Sequence, residues 1–353
     1  MFFAKASYFI VQSLFLSLVF NSSVSSQSKS PKATLVSQEF ILNNPPFAAC
    51  HASTIVSFPD KSILASWFAG AYESSPDVCI WIARNVNNQW SKPEKVADGI
   101  INDTLRYPCW NPVLFCSKTG KLFLFYKVGK SPRDWWGMVK YSKDNGKTWS
   151  AAEKLPNEML GPIKNKPEQL KNGDILYPSS TESADEKVWN IHLEKTDSEG
   201  KNWKKITIAC DTFGVIQPSI LVHSDKTLQL LCRSRQNKVV QTWSHDNGAT
   251  WEPLSTIDVP NPNSGTDAVT LRNGYHILIY NPLLKGPNWF NGRYKLNAAI
   301  SKDGIHWTDV YKLEDETKGE FSYPAVIQSA DGLVHITYTH DRKNIKHVVL
   351  KVD

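Results

Sequence analysis

Six polar residues stand at the head of six similar segments: His51, Asn111, Lys166, Gln217, Asp267 and Tyr323. Six more polar positions lie where the second halves of five of these segments end: Lys127, Glu182, Arg233, Arg235, Asn281 and His340. An imidazole or a phenol can move protons or attack carbon, and carboxylates and lysines can do acid–base work. Guanidinium groups hold carboxylates through paired, charge-assisted hydrogen bonds. This inventory suits chemistry on an anionic, hydroxyl-rich ligand. Three loops add to it: Ala69–Asp77 brings Glu73 and Asp77, Ser131–Gly137 brings Trp135 and Trp136, and Gly286–Arg293 brings Trp289 and Arg293. Tryptophans on such loops are stacking platforms for sugar faces.

These residues are spread over almost 300 positions, so the fold must gather them. Each head residue opens a stretch that reads as a β-hairpin, such as "NPVLFCSKTGKLFLFYK" from Asn111 and "QPSILVHSDKTLQLLCR" from Gln217. Between successive hairpins a second repeat appears. It is fullest in "VKYSKDNGKTWS" (Val139–Ser150) and "QTWSHDNGATWE" (Gln241–Glu252), and recurs in "AAISKDGIHWTD" (Ala298–Asp309). Weaker copies are "TDSEGKNW" (Thr196–Trp203), with Ser198 in the aspartate slot, and "ARNVNNQW" (Ala83–Trp90), with Asn85 there. The aspartate accepts bonds from the turn's own backbone, glycine permits positive φ and tryptophan packs beneath, so the turn is a stabilising device.

A spacing of roughly fifty residues between the tryptophans is that of propeller blades. The reading is therefore all-β: a six-bladed β-propeller over about residues 35–353, with Asp-box turns and with the strand near Ala33–Leu42 completing the last blade. Equivalent hairpin starts then ring one mouth of a channel, the second-strand ends share that rim, and the Asp-box turns fall on the opposite face.

The bulk properties fit. The 353 residues are 41% hydrophobic and 21% charged, with 13 Trp and a formal net charge of +6. The positive excess is thinly spread, which fits an anionic ligand and argues against a nucleic-acid partner. Lys5 followed by the apolar Tyr8–Phe20 and small polar residues reads as a secretory signal over 1–26, leaving one mature domain over 27–353. The protein is then secreted, monomeric and free of the membrane after cleavage. Asn102-Asp103-Thr104 is a glycosylation sequon in a eukaryotic secretory route. The six cysteines have no C-x-x-C spacing, and Cys50 and Cys109 either pair or stay as buried thiols. No metal, nucleotide or other cofactor motif is present.

Asp-box repeats on six blades resemble the sialidase (neuraminidase) superfamily, along nearly all of the mature length. "RSRQNKVVQTWSHDNGATW" is similar to the segment carrying the family's second carboxylate-binding arginine, which falls on Arg233. "GRYKLNAAISKDG" is similar to that carrying the third, on Arg293, and "FSYPAVIQSADG" to the nucleophile segment, on Tyr323. The chain departs from the pattern elsewhere. The first arginine falls on His51 of "CHASTIV", the glutamate that activates the tyrosine falls on Gln217 of "IQPSIL", and the general-acid aspartate falls near Ser74, with Glu73 or Asp77 beside it.

The resemblance implies an exo-glycosidase removing a terminal acidic, sialic acid-like sugar. Tyr323 attacks, Arg233 and Arg293 clamp the carboxylate, Glu73 or Asp77 protonates the leaving oxygen, and His51 or Glu182 replaces the missing base. The residues equally fit a polysaccharide lyase on uronate glycans: His51 or Tyr323 takes the proton α to the carboxylate, which Arg233, Arg293, Gln217 or Asn111 neutralises. A non-catalytic glycan-binding propeller is the third reading. Arg235, Lys127, Lys166, Asp267, Trp135 and Trp136 complete the expected substrate-binding set.

Overall fold

The strand Leu122–Val128, "LFLFYKV", has no polar face to offer water, and all seven of its residues are buried. A strand of this kind needs packing on both sides, which a neighbouring blade on each side supplies. The strand Ala33–Phe40, "ATLVSQEF", is exposed at six of its eight positions, because it lies at the outer edge of its blade. This gradient from continuous apolar runs inside to mixed sequence outside recurs around the molecule.

The computed structural model describes residues 1–4 and 31–353, Trp289 excepted. All but the first four residues of the signal-sequence assignment over 1–26, and the stacking role of Trp289, lie outside the described residues. Residues 31–353 form one compact unit, built of six antiparallel blade sheets and a small two-stranded sheet, Ile100–Asn102 with Leu105–Arg106. Blade 1 runs Ala49–Ser57, Ile63–Gly70, Cys79–Val86 and Gln89–Trp90, with Glu94–Ala97 also pairing its third strand. Blades 2 to 5 begin at Cys109–Cys116, Glu168–Gln169, Val215–Val222 and Asp267–Thr270, and each sheet has four strands in sequence order. Blade 6 takes Phe321–Gln328, Val334–His340 and Asn344–Val352 from the C-terminal end and Ala33–Phe40 from the N-terminal end. Ala33 faces Val352 and Phe40 faces Lys346, so the ring closes as the sequence leads one to expect. Among the described residues no helix is long and apolar enough to cross a membrane.

Side chains lace the inner strands together across blades. Ser53 Oγ donates to Thr337 Oγ1 (3.0 Å), Leu114 N to Thr54 Oγ1 (3.1 Å) and Val222 N to Thr270 Oγ1 (3.1 Å). Asp267 is the densest knot. Its carboxylate accepts from Lys166 Nζ (2.8 and 2.9 Å), Ser219 Oγ (3.1 Å), its neighbour Ala268 N (2.9 Å) and Val326 N (2.8 Å). Three blades and the segment leading into blade 3 meet there.

The Asp boxes do the holding their chemistry suggests. Asp144 Oδ1 accepts from Thr148 N (2.9 Å) and Ser142 Oγ (2.7 Å), while Gly146 N donates to Ser142 Oγ (2.7 Å). Ser244, Asp246 and Gly248 repeat the pattern, and the Ser301 turn does so with one residue fewer. Two expectations need correcting. In Thr196–Trp203 the acceptor is Asp197, bonded to Lys201 N (2.9 Å) and Asn202 Nδ2 (2.7 Å), not the residue aligned by spacing, Ser198. Ala83–Trp90 is no Asp box but a tight hairpin, with Asn87 and Asn88 at φ 53° and 62°. Cys50 and Cys109 do not pair, and all six cysteines are free thiols.

Candidate active site

The first strands of blades 1, 2, 4 and 6 each bulge near their start. Register slips between His51 and Thr54, between Ile216 and Ser219 and between Ser322 and Ala325, and opposite Asn111 and Pro112 in blade 2. The bulged residues Ala52, Asn111, Gln217 and Tyr323 have φ of 57°, 31°, 56° and 53°. In three of the four the next residue is proline, tolerated because a bulge asks for no ladder bond at that point. The backbone counterpart of Asn111, Gln217 and Tyr323 is thus Ala52, and His51 stands one residue ahead of it.

Tyr323 is half-buried, and its hydroxyl accepts from Arg233 Nη1 (2.7 Å) and Gln217 Nε2 (3.3 Å). Among the described residues no carboxylate bonds this hydroxyl. Gln217 Oε1 accepts from the same Arg233 nitrogen (3.3 Å), so the amide orients the pair without removing a proton. The His51 ring lies 4.3 Å from the Tyr323 ring, tilted by 50°, with Phe68 edge-on to the other side at 5.6 Å. His51 is 2% exposed, and neither ring nitrogen has a hydrogen-bond partner. Burial, then the positive charges of Arg342, Arg293, Arg233 and Lys164, hold its pKa well below the usual imidazole value. It is a neutral base in a cationic surround.

The cations form a connected set. Asn263 joins two of them, accepting from Arg233 Nε at Oδ1 (2.9 Å) and from Arg293 Nη2 at its carbonyl (3.0 Å). Glu320 extends the set from Arg293 to Arg342, accepting from Arg293 Nη1 (3.1 Å) and Arg342 Nε (2.7 Å). Glu73 then pairs with Arg342 Nη1. Lys164 lies enclosed 5.8 Å from the Tyr323 ring centroid, donating to the carbonyls of Thr266 (3.0 Å) and Pro324 (2.6 Å), and desolvation pushes its pKa down to about 7. A cavity of about 260 Å3 opens beside His51, with Arg342, Glu73 and Tyr72 in its wall.

Arg342, Glu320, Asn263 and Lys164 were not marked by the sequence. Arg342 follows Asp341 in the three-residue turn between His340 and Asn344, with φ of 54° and 52° respectively, two positions beyond the strand end at His340. Glu320, three residues before Tyr323, was the most legible signal of the four.

Residues 61–336 match the model of the BNR repeat-like domain. The chain belongs to the BNR repeat-like family. Its fold is similar to that of a Dyadobacter fermentans protein of unknown function (TM-score 0.74, 16% identity, 91% of this chain and 100% of that one). It is also similar to the NanB sialidase from Streptococcus pneumoniae (TM-score 0.68, 13% identity, 89% and 70%). A third likeness is to the intramolecular trans-sialidase from Ruminococcus gnavus (TM-score 0.68, 14% identity, 89% and 96%). At these identities the likeness is one of fold. No curated protein matches the chain in sequence.

In this BNR-repeat propeller several expected site residues do other work. Lys166 and Asp267 spend their charges on each other, at 2.8 Å, and Asp267 is 2% exposed. Lys127 is enclosed, its ammonium bonded to the Pro162 carbonyl and its pKa pushed down to about 7 by desolvation. Asp77 ties its own loop, accepting from Ala71 N (3.0 Å) and Ser75 Oγ. Arg235 lies 3.9 Å over the Trp189 ring and holds the carbonyls of Glu186 and Lys187, which fastens a rim loop. Trp136 packs edge-on against Tyr107 at 5.7 Å and Trp135 against Trp110 at 6.0 Å, both half-buried in the blade edge. Asn111 is buried at its bulge. Glu182 lies at the margin of the site; desolvation raises its pKa, and Arg233 and Arg235 oppose that.

Proposed function

We propose that the protein is a secreted enzyme that cleaves glycans at an acidic sugar by β-elimination. The observation that carries this reading is His51: buried, neutral, unpartnered at both nitrogens and packed against a tyrosine whose hydroxyl is held by an arginine. Elimination needs a base for the proton on the carbon α to the carboxylate, cations to stabilise the charge that develops there, and an acid for the leaving oxygen. His51 takes the proton. The C–H electron pair becomes the new C=C bond, and the C–O bond at the β carbon breaks. Tyr323 gives its proton to the departing oxygen, and its phenolate is stabilised by Arg233 and Gln217. Arg233, Arg293 and Arg342 supply the positive field. Proton return from His51 to Tyr323 resets the site.

A second reading, hydrolysis of a terminal sialic acid-like sugar with Tyr323 as nucleophile, is favoured by the 2.7 Å bond from Arg233, which stabilises a phenolate. It requires that the phenol lose its proton with no carboxylate bonded to it, a task left to His51. Incubation of the purified protein with uronate polysaccharides and, separately, with a fluorogenic sialoside separates the two. Ultraviolet absorbance from an unsaturated uronate is the expected result. Release of free sialic acid without that absorbance would replace elimination by hydrolysis. Glycan binding with neither product would leave a binding propeller.

A further inference from the structure

Arg342 and Glu73 meet at the cavity beside His51 and are held in unlike ways. Arg342 is anchored from behind: its Nε donates to Glu320 Oε2 (2.7 Å) and its Nη2 to Glu320 Oε1 (3.3 Å), and its carbonyl accepts from Cys50 N (2.8 Å). Glu320 is fixed in turn by Ser322 Oγ (2.9 Å) and Arg293. The Nη1 of Arg342 meets Glu73, and both residues line the cavity. Glu73 is 39% exposed at its side chain and belongs to a loop that keeps its shape without it. Asp77 closes that loop through Ala71 N and Ser75 Oγ, and Ser75 N and Val78 N donate to the carbonyls of Tyr72 and Ser75. The guanidinium is thus a fixed part of the wall, and the carboxylate facing it is replaceable.

We propose that the Nη1 edge of Arg342 is an anion subsite for the carboxylate of a single sugar, and that Glu73 occupies it as a stand-in until that sugar binds. This rests on the acidic-sugar reading above. The cavity volume of about 260 Å3 lies at the small end for ligand sites, which suits one sugar ring with its acid group. A carboxylate seated there lies within the same cavity that His51 lines. Exchange of one carboxylate for another leaves the charge on Arg342 balanced before and after binding. The entering sugar therefore meets an arginine that is already desolvated and aimed.

Calorimetric titration of the mature protein with glucuronate, N-acetylneuraminate and neutral glucose tests this. Glu73→Gln removes the competing charge and tightens acidic-sugar binding by about threefold to fivefold, the worth of one partly exposed ion pair, with glucose unaffected. Arg342→Lys keeps the charge but loses the planar fork, and weakens acid binding by about tenfold. The stronger of the two acids identifies the sugar class. Unchanged or weaker acid binding by Glu73→Gln overturns the proposal, provided that urea unfolding shows the variant folded as the parent. If Arg233→Ala abolishes acid binding while both Glu73→Gln and Arg342→Lys leave it untouched, the subsite falls and the acidic-sugar reading stands. If the parent protein binds neither acid more tightly than glucose, both fall together.

Discussion

Replacing His51 by leucine should make the protein more stable and abolish its chemistry. Two buried ring nitrogens without partners each cost about 1–3 kcal/mol relative to a satisfied or apolar alternative. The imidazole is neutral at pH 7, so its removal deletes no charge. Leucine differs in shape from the planar ring between Phe68 and Tyr323, which takes back up to about 1.5 kcal/mol. The net expectation is a gain of about 0.5–6 kcal/mol in unfolding free energy, read as a higher urea midpoint at unchanged slope. Turnover of an acidic glycan should fall by about 10²–10⁴-fold, the usual worth of a general base. A histidine kept for packing gives the opposite pair of results: lower stability and retained turnover. That outcome would refute the assignment of His51 as the base and the elimination chemistry built on it.

Tyr323→Phe should lower turnover by about 10²–10⁴-fold while calorimetric binding of the acidic sugar persists, because the ring stays and only the hydroxyl held by Arg233 and Gln217 is lost; unchanged turnover removes Tyr323 from both enzyme readings. Asp267→Ala should lower unfolding free energy by about 3–5 kcal/mol, since it strands Lys166 and unties the first strands of blades 4, 5 and 6. A urea midpoint equal to the parent's would show that the knot contributes nothing. His276 and His335 are buried and pushed down to about 4, so the unfolded chain takes up protons first. Stability is whole above about pH 6.5 and is lost as pH falls toward 4, by about 2 kcal/mol for each histidine at about pH 5. Flat stability between pH 7 and pH 5 would show that these imidazoles are free to charge in the folded state.

The sequence carried the ring because a propeller repeats its rules. Apolar alternation, turn chemistry and the tryptophan interval each recurred often enough for weak copies to be recognised beside strong ones. Arg233, Gln217 and Tyr323 were legible for the same reason, since each sits at a repeated place in its hairpin. Arg342 and Asn263 were not, because they lie on turns and linkers outside the repeat, where length and type vary between blades. Lys127 and Lys166 were misplaced for a different cause. A polar residue at a repeated strand end marks a position on the rim, and says nothing of whether a carbonyl or carboxylate from elsewhere in the ring already covers it. Pro162 and Asp267 do so here.

The bulges explain how this fold separates its stability from its chemistry. Holding a residue other than glycine at positive φ costs about 1–3 kcal/mol, yet blades 1, 2, 4 and 6 all do it at the same point. The backbone device is common to them, while the side chains it carries are alanine, asparagine, glutamine and tyrosine. Ala52, the smallest, belongs to the apolar cluster against which Tyr323 packs, and the imidazole that meets that ring comes from the residue before it. His51 is therefore not the blade 1 copy of Tyr323. It stands at the place held in the other three blades by Trp110, Ile216 and Ser322. Blade 1 alone lacks the proline that marks the bulge in sequence, which is why spacing aligned His51 one residue away from its true counterpart. The inter-blade bonds of Ser53 and Thr54 lie deeper along their strand than the bulged Ala52. A change of side chain at the mouth can then alter the reaction without loosening the ring that supports it.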